Sequence, residues 1–108
     1  MLLIVAKYLI PKGYRGFAVF PFVFVKYRLD KESGVFINHE RIHLRQQLEL
    51  LMLPFFVWYL VEFLVRLVQY KNADLAYRNI SFEREAYANE KDLNYLKRRS
   101  FYEFVKYL

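Results

Sequence analysis

The chain has 108 residues, of which 56% are hydrophobic and 20% aromatic, with a formal charge of +6 and no cysteine. That length suffices for one domain, the apolar share supports a packed core rather than disorder, and 26% charged residues exclude a chain lying wholly inside a membrane. Without cysteine there is neither a disulfide scaffold nor a thiolate metal site, so any metal would rest on His, Glu, Asp and water.

Residues 1–10 are apolar and β-branched, in character either helix or strand. The apolar run is too short for a signal-peptide core and lacks a small-residue cleavage site, so no cleavable signal peptide is expected. Pro11-Lys12-Gly13 reads as a break. Residues 14–28 are rich in Phe, Val and Tyr and read as β, with Pro21 giving either two short strands or one edge strand with a bulge. This first third carries Lys7, Lys12, Arg15, Lys26 and Arg28 and no acid up to residue 29. Such a surface suits anionic lipid or acidic peptide, and reads foremost as solubility and lipid-side balance for an apolar protein. No nucleic-acid-binding motif accompanies it, so no nucleic-acid partner is expected.

Residues 30–34 read as a turn. A helix is expected from Asn38, as N-cap, to Pro54, which suits the first turn of a second helix over 55–70. In this helix Glu62 and Arg66 have the i, i+4 spacing of an ion pair. The longest uncharged run, residues 50–61, is shorter than the ~20 residues of a membrane span. A buried core helix or a membrane-surface contact is expected instead. Residues 72–79 are polar and read as a connection. Ser81 reads as the cap of a last helix running to residues 98–100, followed by an amphipathic tail over 101–108. The expected fold class is α+β, mostly α: a short N-terminal β element, a motif helix and two or more further helices in one domain over residues 1–108.

Within the motif helix, His39-Glu40-Arg41-Ile42-His43 has the form H-E-x-x-H, and these are the chain's two histidines. Positions i and i+4 stack on one helix face, so two imidazoles can reach one ion while Glu40 sits beside it and holds a water. A catalytic zinc takes a third protein ligand. With no further His and no Cys, that ligand must be a carboxylate, and the segment Ser81-Phe-Glu-Arg-Glu-Ala-Tyr-Ala-Asn-Glu90 is its best source. Gln46-Gln47 reads as helix surface, Arg41 and Arg45 as partners of Glu49, and Lys97-Arg98-Arg99 as a solvated helix end.

HERIHLRQQ together with the downstream FEREA segment resembles the gluzincin branch of zinc metallopeptidases, particularly the small minigluzincin proteins. The resemblance covers about a quarter of the chain. It implies a zincin-like minimal core, Zn²⁺ as cofactor, His39, His43 and Glu83 as metal ligands, Glu40 as the catalytic base, and a peptide or protein substrate bound along the strand at residues 17–25. An alternative register uses Glu85 with Asn89. Where the family places an aspartate that orients a ligating histidine, this chain has Tyr87 in the first register, and Tyr87 or Asn89 would have to substitute by hydrogen bonding. The competing reading is an inactive zinc-binding or membrane-associated interaction protein. A cytoplasmic or peripherally membrane-associated location follows from either, and a homodimer is compatible with both.

Overall fold

A computed structural model describes residues 2–6, 8, 10, 14–27 and 32–108. The expected break at residues 11–13, part of the expected turn at 30–34, and the cations Lys7, Lys12 and Arg28 lie outside the described residues.

The fold is mixed α+β with helix predominating. Three short strands form one sheet: β1 (Leu2–Val5), β2 (Gly16–Val19) and β3 (Phe22–Val25), in the order β1-β3-β2. β1 runs parallel to β3, and β2 pairs antiparallel to it in the register Gly16 with Val25 and Val19 with Phe22. The apolar stretch therefore resolves into two short strands, turning at Phe20-Pro21. Strand alternation sends Val23 and Val25 inward, where they pack with Ala18, Phe36 and Leu44 under the first helix. Gly16 is required at its position: a Cβ would run into the Phe24 carbonyl oxygen and the Phe36 ring.

Helix α1 spans Gly34–Glu49, with Ser33 as N-cap accepting from the Phe36 amide at 3.2 Å. It starts earlier than the sequence reading placed it. Asn38 is not its cap but an interior, buried residue, whose side-chain amide donates to the backbone carbonyls of Asn89, Glu90 and Asp92. It thereby satisfies the carbonyls that a helix end leaves free. Helix α2 spans Leu53–Tyr70 with Pro54 in its first turn, as expected. Only Phe55 and Glu62 of this helix are buried, so it is not a core helix. The polar stretch after it is no mere connection: it forms α3 (Ala73–Arg78), because the Asn72 side chain accepts from the Leu75 amide at 3.0 Å.

Helix α4 spans Ser81–Asn89 and carries the FEREA segment. Ser81 is its first residue rather than its cap. Glu62 of α2 takes the capping role instead, accepting from both the Ser81 amide and, at 2.7 Å, the Ser81 hydroxyl. A carboxylate at a helix N-terminus also offsets the helix dipole. Glu62 pairs as well with Arg66, at 3.6 Å. The last helix does not continue to residues 98–100. It stops where Asn38 captures its C-terminal carbonyls, and α5 (Tyr95–Arg98) and a closing 3-10 helix (Glu103–Tyr107) follow separately. Phe55, Ile80, Phe82 and Phe104 form a second core cluster, and Ile42, Ala86 and Tyr95 a third where α1 crosses α4.

Arg99 joins these elements from below. Its side chain is fully buried, not solvated, and forks onto Glu49 at 2.7 and 3.0 Å while also binding Glu85. Glu49 therefore pairs with Arg99 rather than with Arg41 or Arg45. A bidentate guanidinium is suited to such a buried position because its geometry satisfies both carboxylates at once.

Candidate metal centre

Helices α1 and α4 cross so that His39, His43 and Glu83 meet, all three buried. His39 Nε2 and His43 Nε2 lie 3.2 Å apart, and each is 3.1 Å from Glu83 Oε1. Ile42 and the small Ala86 at the crossing let the two helices approach closely.

The surrounding partners determine what this trio can do. His39 Nδ1 faces Glu90 Oε2 at 2.7 Å, and His43 Nδ1 faces Gln46 Oε1 at 2.8 Å. The Gln46 amide orientation is fixed from its other end, where Nε2 donates to the Phe82 carbonyl and to Glu85 Oε1. Both Nδ1 atoms thus face acceptors and carry a hydrogen, so that each ring, when neutral, has its Nε2 lone pair aimed at the common point. Two lone pairs and a carboxylate oxygen at such separations need a cation or a proton between them. Zinc bonds of ~2.0–2.1 Å in tetrahedral geometry set ligand atoms ~3.3 Å apart, so the spacing is compatible with a small divalent ion such as zinc without being specific to it.

Electrostatics agree with the geometry. Burial alone would lower the pKa of His43, but the Glu83 carboxylate, Glu40 and Gln46 outweigh it and raise the value to about 9. Burial likewise pushes Glu83 upward, and the two histidines overcome that to hold it well below the usual carboxylate range. Its second oxygen, Oε2, accepts from the Tyr59 hydroxyl at 2.7 Å.

Glu40 is also buried, and its Oε2 has no hydrogen-bond partner among the described residues. Burial raises its pKa, partly opposed by His43 and His39. It lines a cleft of about 520 Å³ together with His43 and Glu83. One wall of the cleft is β2, an edge strand of the sheet, and the other is the α2 face carrying Phe55, Phe56 and Tyr59. Of the ten tyrosines, Tyr14, Tyr59 and Tyr77 line it. Burial and the Glu83 charge hold the Tyr59 and Tyr77 hydroxyls far above their ordinary pKa, so both remain neutral donors.

Glu83 thus stands at the histidine pair, while Glu85 faces the opposite side of α4. There Glu85 binds Arg99, Gln46 and, at 2.7 Å, the Tyr95 hydroxyl. Neither expected stand-in for the family's aspartate plays that part. Tyr87 sets its ring edge against His39 and shares its hydroxyl with Tyr77, and the Asn89 side chain turns to the Glu85 carbonyl and the Tyr107 hydroxyl. The carboxylate that orients His39 is Glu90. It lies seven residues beyond Glu83, two helical turns and so nearly the same face, a spacing that could have identified it. Gln46 and Gln47 are buried rather than surface residues. Gln47 clamps the sheet to α1, accepting from the Phe20 amide and donating to the Ala18 carbonyl, each at 2.7 Å.

No known protein family, characterised protein or solved structure matched the chain on comparison.

Proposed function

We propose that this protein is a zinc-dependent metallopeptidase, with His39, His43 and Glu83 as metal ligands and Glu40 as general base. The observation that carries this reading is the Glu40 carboxylate. A buried oxygen without a partner costs about 1–3 kcal/mol or more for a charged group. A purely structural metal site has no use for a carboxylate beside its ligands, whereas hydrolysis needs one within reach of the attacking water.

A bound zinc ion supplies Lewis acidity and brings the pKa of water toward ~7. Glu40 takes the proton of the attacking water and returns it to the leaving amine. Its burial raises its pKa above the ordinary carboxylate value, which favours holding the proton it receives. Tyr59 fixes the orientation of Glu83 through its hydroxyl. Tyr77, a neutral donor on the cleft wall, is the residue we assign to the developing oxyanion. An extended peptide lies along the β2 wall of the cleft, where the Ala18 carbonyl and the Phe20 amide are already taken by Gln47, and the aromatic wall of α2 receives its apolar side chains.

The test compares zinc-loaded wild type with Glu40→Gln on denatured casein and a mixed peptide library. Wild type is expected to cleave. The variant is expected to keep its zinc and lose activity by about 10²-fold or more. Equal cleavage by both proteins, or none by the loaded wild type, overturns the reading.

A further inference from the structure

Helix α2 presents to solvent a face with no charge on it. Val57, Val61, Leu64, Val65 and Val68 are all about half exposed or more, with Val68 at 78%. The helix has two charged residues, and both are turned inward: Glu62 is buried on Ser81, and Arg66 is paired with it. With 18 residues at ~1.5 Å each, the bare face is about 27 Å long. An apolar surface of that extent marks a contact rather than ordinary solvent exposure.

Charge indicates what covers it. Of the eleven acidic residues, Glu40, Glu49, Glu62, Glu83 and Glu85 are buried, so the surface is more strongly basic than the formal charge of +6 implies. On α1, Arg41 and Arg45 share a groove with Lys97 and with Leu48, the last exposed leucine of that helix. Leu48, Leu51 and Leu53, exposed in turn, lead from this cationic groove to the start of α2. A long apolar stripe joined to cations without an ion pair among the described residues is the pattern of a helix lying in the plane of an anionic lipid surface. A spanning orientation fits less well, because the inner face of α2 is committed to capping α4 through Glu62.

We infer that the outer face of α2 docks on an anionic bilayer, with Arg41, Arg45 and Lys97 meeting the headgroups. Phe56 and Leu60 belong both to α2 and to the wall of the cleft, so docking sets the cleft mouth at the membrane interface. The inference stands apart from the peptidase reading, and its readout needs no metal.

The experiment is vesicle flotation of the full chain with phosphatidylcholine vesicles, with and without 30% phosphatidylglycerol by design. Wild type and Glu40→Gln are expected to float equally with the anionic vesicles. Val61→Glu/Val68→Glu, at two exposed positions outside the cleft, is expected to lower binding at least about tenfold with an unchanged circular dichroism spectrum. Arg41→Glu/Arg45→Glu is expected to remove the preference for anionic over neutral vesicles. Three results overturn the inference: no flotation of wild type, flotation unaffected by the valine substitutions, or a concentration-dependent dimer that those substitutions dissociate while vesicles bind neither protein. The last would assign the face to a second copy.

Discussion

Glu90 Oε2 stands 2.7 Å from His39 Nδ1, on the side of the ring away from His43 and Glu83. Holding that proton fixes both the tautomer and the tilt of His39. Loss of such a partner typically costs about 10–100-fold in metal affinity. Glu90→Ala should weaken zinc binding by that factor in a competition titration against a chromophoric chelator. Glu90→Gln, whose amide oxygen still accepts, should fall between that variant and wild type. Equal affinity in all three proteins would show that Glu90 has no orienting part.

Asn38 carries the same arrangement one step back. Its amide gathers the carbonyls of Asn89, Glu90 and Asp92, so it fixes both the end of α4 and the position from which Glu90 reaches His39. Asn38→Ala leaves those carbonyls without their donor and should cost about 1–3 kcal/mol in urea unfolding. It should also weaken zinc binding in the direction of the Glu90 variants. Asn38→Asp, which removes the donor but keeps the volume, should do no better than alanine.

The His43 pKa of about 9 makes metal binding a proton exchange. Below that value a proton on His43 competes with the ion, so apparent zinc affinity should rise about tenfold per pH unit and level off above pH ~9. Calorimetry in buffers of different ionisation enthalpy should show release of about one proton near pH 7. The metal-free protein follows the opposite course. His43 has its pKa raised from 6.5 on folding, so its contribution to stability is complete below 6.5 and is lost as pH rises through about 9. The melting temperature of the metal-free form should therefore fall across that window, and that of His43→Asn should not.

Glu85 gives the acid side. Burial works against its charge, but bonds from Arg99, Tyr95 and Gln46 prevail and lower its pKa below 4.5. A depressed carboxylate stabilises the fold above its unfolded pKa and loses that contribution as pH falls through the folded value. The gap in stability between wild type and Glu85→Gln should thus be widest near neutrality and shrink below pH 4.5. A constant gap would mean that the substitution acts through packing alone.

The cluster of His39, His43 and Glu83 was legible in the chain because its chemistry is local: i, i+4 histidines must share a helix face, and a chain without cysteine and without a third histidine leaves a carboxylate for the last place. Periodicity says only that Glu83 and Glu85, two apart on a helix, cannot both face the histidines; the preference for Glu83 rests on the resemblance. What escaped notice were side chains whose partners are distant in sequence. Asn38 looks like a helix cap from its neighbours, and only the α1–α4 crossing makes it the cap of a different helix. Gln46, Gln47 and Arg99 are polar types whose ordinary place is the surface, and their burial depends on partners about thirty to fifty residues away. The 72–79 segment reads as loop by composition, yet the Asn72 cap and packing against α2 make it helical.

The relation between the two helices also predicts which carboxylate matters. Elemental analysis of the purified, zinc-loaded full chain should give about one zinc per molecule for wild type, Glu40→Gln and Glu85→Gln, and close to none for Glu83→Ala. A wild-type chain that cannot be loaded, or a Glu83→Ala chain that holds zinc as well as wild type does, would contradict the assignment of His39, His43 and Glu83 to a single ion.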